Sequence, residues 1–383
     1  MNSKKLSLKI SHSKILRYKN NYKMKRIKLF DPISGIEEEK AVIKTLRSNF
    51  WASGAGTGNV LQFEAKFNKY VESKHCVAVN NGTAALHLAL SLADIKNKEV
   101  ILPSMSFVST AHAVLYNGGI PVIADIDPQS LCIDTNSIKK LITKRTKVIL
   151  PVHFAGMSAN LDEISSICKE HRLLLIEDAA HAAGSTYKNK RIGSHGNAVC
   201  FSFHPVKNLA MPTGGAITLN GKKTDSSYEK LKIRRWCGIS NRIGALYDVN
   251  ELGWNFYMNE FSAAIGLVQL KKLDKLNKIR KSIAKKYFQQ INLEEKMPYD
   301  ENCSYHFYWI KVKNRNNFMK MMSNNNIETG IHYKPIHKMK LYDSRIKLPN
   351  SEYAGEHIVS LPTSPNLTDS DVSKIIHYVN TFD

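Results

Sequence analysis

The fold of this chain is decided at residues 202–209, which read Ser202-Phe203-His204-Pro205-Val206-Lys207-Asn208-Leu209. An apolar, β-prone segment at 198–201 precedes this stretch, and a glycine turn at 213–219 leads into a second strand after it. An amine becomes a nucleophile or a proton carrier only when it is desolvated or joined to a carbonyl. A lysine held between two strands is positioned for this, so Lys207 is the candidate catalytic amine; the alternative is a surface loop lysine.

Residues 173–181 form a continuous apolar run that ends in two acids, Glu177 and Asp178. This pattern is typical of a strand buried on both faces of a parallel sheet. Such sheets carry ligands at the carboxyl ends of their strands. Asp178 is placed there, and an Asp in this position can hold a cationic ring nitrogen, as the pyridinium of pyridoxal phosphate (PLP) requires.

Residues 77–90 predict a short strand, a glycine turn and an amphipathic helix. The start of that helix offers free backbone N–H groups, a positive dipole end and the Thr83 hydroxyl, which together suit a phosphate. The same Asn-Gly-Thr turn also serves as an ordinary helix cap. A phosphate site and a cap therefore both remain open from this segment alone.

Strands and helices alternate from residue 77 to residue 176, which indicates a mostly parallel sheet. Residues 260–287 have apolar positions at helical spacing and predict one long helix leaving the large domain. A strand at 305–312 and helices at 316–325 and 369–378 predict a small α/β lobe after it.

Together these segments resemble the PLP-dependent sugar-nucleotide aminotransferases of the DegT type, which share the aspartate-aminotransferase fold. The resemblance runs in the family's order through 50–54, 81–86, 100–107, 149–156, 177–181, 201–208 and 253–258. It implies an α/β fold with a large PLP-binding domain and a smaller C-terminal α/β domain. The expected boundaries are 1–26 for a basic N-terminal extension, 27–270 for the large domain and 271–383 for the small one.

The resemblance also assigns roles to individual residues. Lys207 becomes the Schiff-base lysine and Asp178 the partner of the pyridine nitrogen, while Phe107 stacks on the cofactor and His181 lies near its phenolic oxygen. The catalytic residues are then Lys207, Asp178 and His181. The residues expected to bind the cofactor are Gly82, Thr83, Ala84, Phe107, Asp178, His181, Ser202, Lys207 and Asn255.

Among these residues, Gly82, Thr83, Ala84 and Ser202 are expected to hold the phosphate. Asn255 is expected to reach the same phosphate from the other subunit, so the resemblance implies a homodimer with shared active sites. The alternative for Asn255 is a cap on the helix starting near residue 260.

The chain departs from the family pattern at two positions. Asn81 replaces the usual Ser before Gly-Thr, and Tyr257 replaces a common Arg two positions after Asn255. The first change matters little if backbone N–H groups bind the phosphate, whereas the second alters the charge of the substrate pocket.

Residues 330–337 resemble a family segment that lines the sugar-nucleotide cleft. This assigns His332, Tyr333 and His337 to substrate binding, with a strand and turn of the small lobe as the alternative.

Composition agrees with a large cytoplasmic enzyme, since 383 residues at 43% hydrophobic content can bury a substantial core. No run reaches the roughly 20 apolar residues of a membrane span, so no membrane partner is expected. The six cysteines show no C-x-x-C spacing, which predicts neither a metal site nor a disulfide framework. They are Cys76, Cys132, Cys168, Cys200, Cys237 and Cys303.

The formal net charge of +22 is concentrated partly at the N-terminus. Ten basic residues precede the first acid, Asp31: Lys4, Lys5, Lys9, Lys14, Arg17, Lys19, Lys23, Lys25, Arg26 and Lys28. The segment lacks the apolar core of a signal peptide and is interpreted as a tail, with Met24 as a possible natural start. No aromatic-interleaved basic motif supports nucleic-acid binding, and attraction of an anionic sugar nucleotide is reason enough for the charge.

The activity implied by the resemblance is a two-stage transamination. Lys207 holds PLP and moves the Cα proton of an amino donor, glutamate, before the amine passes to a nucleotide-linked keto-sugar in amino-sugar biosynthesis for surface glycans. The expected acceptor is a 4-keto group, with a 3-keto sugar close behind, and the sugar and nucleotide stay open. One alternative is the PLP branch that dehydrates sugars, which has His in place of Lys207; the other is a PLP-binding regulatory protein.

Overall fold

Seven strands form the central sheet of the computed structural model, which describes residues 26–221, 224–342 and 345–382. The basic segment before Arg26, with the possible start at Met24, lies outside the described residues. In chain order the strands are β1 His75–Val79, β2 Glu99–Pro103, β3 Ile120–Ala124, β4 Thr146–Ile149, β5 Leu174–Asp178, β6 Thr186–Tyr187, β7 Lys190–Arg191, β8 Ala198–Ser202, β9 Gly215–Leu219, β10 Ile239–Ile243, β11 Leu246–Val249, β12 Tyr308–Lys311 and β13 Ile358–Leu361.

Eleven α-helices cover the sheet and build the C-terminal lobe within the described ranges. They are α1 Ile36–Arg47, α2 Gly58–Val71, α3 Gly82–Ser91, α4 Ser109–Tyr116, α5 Thr135–Leu141, α6 Leu161–His171, α7 Thr224–Arg234, α8 Glu260–Gln290, α9 Arg315–Asn324, α10 Pro349–His357 and α11 Asp369–Asn380. Short 3-10 helices occupy Phe154–Gly156, Ile336–Lys338 and Lys340–Tyr342. In the part of the chain that the structure describes, no helix has both the length and the apolar character needed to cross a bilayer.

The strand order of the sheet is β1-β9-β8-β5-β4-β2-β3. Strands β8, β5, β4, β2 and β3 pair in parallel, whereas β9 runs antiparallel to both β1 and β8. The mostly parallel sheet and the α/β fold class are therefore confirmed. Because parallel strands end at the same edge, Pro103, Asp178 and Ser202 all lie at the carboxyl edge of the sheet.

Two apolar cores lie on opposite faces of this sheet. Successive side chains of a strand point to opposite faces. In β2, Ile101 belongs to one cluster while Val100 and Leu102 belong to the other. The fully apolar strands predicted from the sequence are thus buried on both sides, as parallel sheets require.

The long helix α8 packs against α1 and α2 near its start and against α11 further along. Beyond it, β12 and β13 pair antiparallel, with α9 and α10 packed against them. This matches the small α/β lobe expected from the sequence, and the boundary at residue 270 stays a prediction.

Some elements lack a sequence signal. Helix α7 buries only Thr224 and Leu231, so its apolar periodicity is weak. The hairpin β10–β11 has no residue buried against a core, and a two-faced exposed strand shows no alternation. The sequence pattern therefore predicts neither α7 nor this hairpin, and it also does not predict β13 and α10.

Candidate active site

A cavity of about 330 Å³ opens at the carboxyl edge of the sheet. Loops after β1, β2, β5 and β8 form its walls, and the segments around residues 306 and 332 close it from the small lobe. The sequence-predicted residues that line it are Gly82, Thr83, Phe107, Asp178, His181, Ser202, Lys207, His332 and Tyr333. Segments far apart in the sequence therefore meet in one place.

Lys207 lies in the loop between β8 and β9, where its neighbour Asn208 anchors the backbone. The buried Asn208 amide donates to Asn277 Oδ1 and to the Ser304 carbonyl, each at 2.9 Å. Burial lowers the pKa of the Lys207 amine to about 8, although the facing Asp178 carboxylate opposes that change. About a tenth of the amine is therefore neutral at pH 7, far more than for an ordinary lysine, and the neutral form is the one that acts as a nucleophile.

Asp178 ends β5 and is 4% exposed. Its Oδ2 accepts a hydrogen bond from the Thr110 hydroxyl at 2.8 Å, and its Oδ1 accepts the Ala180 N–H at 3.1 Å. Burial raises the pKa of this carboxyl, against the effect of those two donors and of Lys207. A buried carboxylate of this kind needs a cationic partner, and a protonated ring nitrogen is one.

His181 and Tyr333 contact each other in the wall of the cavity. Its Nδ1 accepts the Ala155 N–H at 3.3 Å, and its Nε2 lies 3.0 Å from the Tyr333 hydroxyl. Burial holds the pKa of His181 well below its ordinary value, so the ring is neutral and its proton sits on Nε2. This ring then donates to the Tyr333 oxygen, which leaves the phenolic proton available to a ligand.

The start of α3 forms a cradle against β8. A Cβ at Gly82 would lie 2.7 Å from the Ser202 Cβ, closer than side chains approach one another, so only glycine fits. Asn81 caps the helix by accepting the Ala84 N–H at 2.8 Å. The Ala84 N–H is therefore already hydrogen-bonded within the cap. Gly82 and Thr83 line the cavity at a helix start that is suited to phosphate.

Tyr257, which stands where the family commonly has Arg, does not line the cavity of its own chain. Tyr257 bridges Val79 through its backbone, beside β1.

His337 does not line the cavity. It is fully buried, with its Nδ1 2.6 Å from Ser104 Oγ and its Nε2 3.2 Å from Glu352 Oε1. These two contacts occupy both ring nitrogens. We therefore interpret His337 as a residue that fixes the 332–337 segment, and we keep only His332 and Tyr333 as proposed substrate contacts.

Asn255 also lies outside the cavity of its own chain and is exposed. The cap of α8 is Asn259, whose side chain accepts the Ser262 N–H at 2.8 Å. Helix capping therefore does not account for Asn255.

His306 is a cavity residue that the sequence did not reveal. It is 1% exposed, and its ring stacks on Phe30 at 4.9 Å between centroids and lies tilted against His181 at 4.6 Å. Burial holds the pKa of His306 well below its ordinary value. Phe30, His306 and His181 come from three distant segments, so no local pattern could have predicted the stack.

The described residues fit PLP in donor chemistry and shape. Lys207 offers a desolvated amine, Asp178 a buried carboxylate, and Gly82 with Ser202 a close-packed helix start. Each is the group that one end of the cofactor needs.

Comparisons with known proteins agree with the fold and with PLP as the cofactor. The sequence profile of the DegT/DnrJ/EryC1/StrS aminotransferase family matches residues 32–380. Spore coat polysaccharide biosynthesis protein SpsC of Bacillus subtilis is 36% identical over 371 residues, which are 91% of this chain and 95% of SpsC.

Two solved structures share the fold closely. Helicobacter pylori PseC, an aminotransferase involved in the biosynthesis of pseudoaminic acid, superposes with a TM-score of 0.86 at 31% identity, covering 93% of this chain and 98% of PseC. Spr1654 of Streptococcus pneumoniae in its pyridoxamine phosphate (PMP) form superposes with a TM-score of 0.89 at 26% identity, covering 93% of this chain and 97% of Spr1654. Spr1654 is also known in a PLP form.

Proposed function

Since this chain belongs to the DegT/DnrJ/EryC1/StrS aminotransferase family, we propose that it transfers the amino group of glutamate to the 4-keto group of a nucleotide-linked deoxyhexose. Family membership makes the chain a PLP-dependent sugar aminotransferase. PseC takes part in the biosynthesis of pseudoaminic acid, and SpsC in that of spore coat polysaccharide. These relatives support a role for this chain in making amino sugars for surface glycans.

The observation that carries the proposal is the pairing of Lys207 with Asp178 across one cavity. Burial lowers the pKa of the amine to about 8 and raises the pKa of the carboxyl, while each charge favours the other. When bound, PLP supplies an electron sink for the carbanion of the amino donor. Asp178 sustains that sink by holding the ring nitrogen protonated, and Lys207 carries the proton at the amine.

The other cavity residues bind and orient. Gly82, Thr83 and Ser202 line the cavity and would hold the phosphate, and Phe107 would cover the ring face. The His181–Tyr333 pair presents a phenolic proton to the substrate side of the cavity. Because His181 and His306 are neutral, these two rings add no positive charge to that of Lys207 in the cavity lining. A lining with so little charge suits an uncharged keto group of a sugar at the reacting end.

Two other functions make different demands on this site. A sugar dehydratase of the related branch has His where this chain has Lys207. A regulatory protein that only senses PLP also needs a lysine to bind it, but it carries out no proton transfer from an amino donor, so the half-reaction with glutamate separates the two. The site therefore supports transamination best.

The proposed function is tested in two half-reactions. Incubation of the PLP form with glutamate should convert its absorbance to that of the PMP form and release 2-oxoglutarate. A panel of UDP-, dTDP- and GDP-linked 3-keto and 4-keto sugars should then restore the PLP spectrum only with a 4-keto acceptor. Restoration only by a 3-keto sugar would correct the acceptor, and no conversion by glutamate or any other amino acid would favour a sensor.

We also propose that the working unit is a homodimer whose two sites are each completed by Asn255 of the other protomer. The support is the exposed position of Asn255 outside its own cavity, in a segment that runs beside β1. A two-fold dimer makes such an exchange twice, so each cavity would receive one partner residue. Dimer formation alone does not test this exchange, and mixing of variants does.

Mixing Lys207→Ala with Asn255→Ala should restore activity, although each variant alone is expected to be inactive. A hybrid dimer holds one doubly defective site and one site with both native residues. Random exchange of equal amounts makes half of the dimers hybrid, so activity should recover to about a quarter of wild type. Proven subunit exchange without recovery would mean that Asn255 acts within its own chain.

A further inference from the structure

Thr110 lies in the first turn of α4 and points its hydroxyl at Asp178. Thr110 is fully buried, and its Oγ1 lies 2.8 Å from Asp178 Oδ2. The other carboxylate oxygen accepts the Ala180 N–H at 3.1 Å. The two donors hold both oxygens of Asp178 and so fix the plane of the carboxylate.

We propose that Thr110 is a positioning residue that keeps Asp178 ionised and aimed at the ring nitrogen of PLP. This inference rests on the role that the proposed function gives to Asp178. Thr110 does not line the cavity, so it acts through the carboxylate. A hydrogen bond donated to a carboxylate stabilises its charged form, and the bond is stronger in a buried site.

The surrounding hydroxyl network is compatible with this direction of donation. Ser106 Oγ lies 2.6 Å from Thr110 Oγ1, and the Phe107 carbonyl lies 3.0 Å from it. Thr110 has one proton to give. When Asp178 is ionised, Ser106 donates to Thr110 and Thr110 donates to Asp178, so two hydroxyl dipoles point toward the negative charge. A protonated Asp178 would reverse the chain, with Thr110 turning to the Phe107 carbonyl.

Other titratable groups face Asp178 from the elements around it. These are Lys207 from the β8–β9 loop, His153 after β4, Cys200 on β8 and Tyr333 from the small lobe. Lys207 and His153 both favour the carboxylate through their charge. In the hydrogen bonds recorded for the described chain, only Thr110 and the Ala180 N–H contact the carboxylate oxygens directly. Of these two donors, only the Thr110 hydroxyl can be removed by substitution.

The test compares Thr110→Val, which keeps the shape and removes the hydroxyl, with Thr110→Ser, which keeps the hydroxyl. Each holoenzyme is loaded with PLP labelled with ¹⁵N in its ring, and the ¹⁵N chemical shift is followed against pH. In Thr110→Val, the pH at which the ring nitrogen loses its proton should shift. The acid limb of the kcat profile should shift too, and it should move up by about one pH unit. The direction follows because loss of the donor raises the pKa of Asp178 further, so its carboxylate is lost at a higher pH. Thr110→Ser should behave as wild type.

Two results would overturn the inference: an unchanged ¹⁵N shift in Thr110→Val, or equal changes in the Val and Ser variants, which would indicate packing alone. If Thr110→Val fails to fold, Ser106→Ala replaces it and should produce a smaller change in the same direction; no change would then count against the proposal. Asp178→Asn separates this inference from the proposed function. If the ring nitrogen stays protonated in Asp178→Asn, Asp178 does not have the role that the proposed function gives it. If Asp178→Asn changes the ¹⁵N shift and Thr110→Val does not, only the role proposed for Thr110 is wrong.

Discussion

Lys207→Ala should abolish turnover while leaving the fold intact. The loss of rate should exceed about 10⁴-fold, the upper end of what one proton-transferring side chain contributes, because the same amine is also the covalent anchor. The fold should survive because the backbone beside Lys207 is held through the hydrogen bonds of Asn208. Steady-state rates, circular dichroism and the midpoint of thermal unfolding measure the two parts of this expectation.

Lys147→Ala is a matched control, because Lys147 is an exposed lysine at the opposite end of the sheet, in β4. It should retain wild-type activity. Borohydride reduction of the wild-type holoenzyme, followed by peptide mapping, should place the cofactor on Lys207. A label on any other lysine, or appreciable turnover by Lys207→Ala, would show that a different amine does the chemistry.

The parts of the site that sequence reasoning predicted are those with a local signal. Lys207 stands between an apolar strand and a glycine turn, and Asp178 ends a strand that is apolar on both faces. Strand order in a parallel sheet then brings both to one edge without further information. The resemblance to the family rests on the order of seven segments along the chain, and the family match over residues 32–380 confirms that resemblance.

The contacts that sequence reasoning missed are formed between distant segments. His306 lies in the cavity wall with its ring against Phe30 and His181, and nothing near position 306 in the sequence encodes these contacts. The resemblance assigns His337 to substrate binding, with a strand and turn of the small lobe as the alternative. In the structure His337 is buried against Ser104 and Glu352, which lie 233 and 15 residues away along the chain, and no local pattern encodes those contacts.

Asp178→Asn should retain part of its PLP but lose most activity. The asparagine keeps the size of the side chain and can still accept the Thr110 hydrogen bond, so the cavity should keep its shape. A neutral partner no longer favours the protonated ring nitrogen, and the electron sink weakens. By comparison with the removal of one preorganised electrostatic group, the glutamate half-reaction should slow on the order of 10²-fold or more.

Cofactor content, the single-turnover rate with glutamate and the ¹⁵N shift of ring-labelled PLP measure this outcome separately. Asp94→Asn is the matched control, since Asp94 is exposed and its φ of 46° suits asparagine. It should leave all three quantities unchanged. If Asp178→Asn turned over glutamate at a near-normal rate, Asp178 would not be the partner of the ring nitrogen. The hydrogen bond from Thr110 to its carboxylate would then serve only to join α4 to β5.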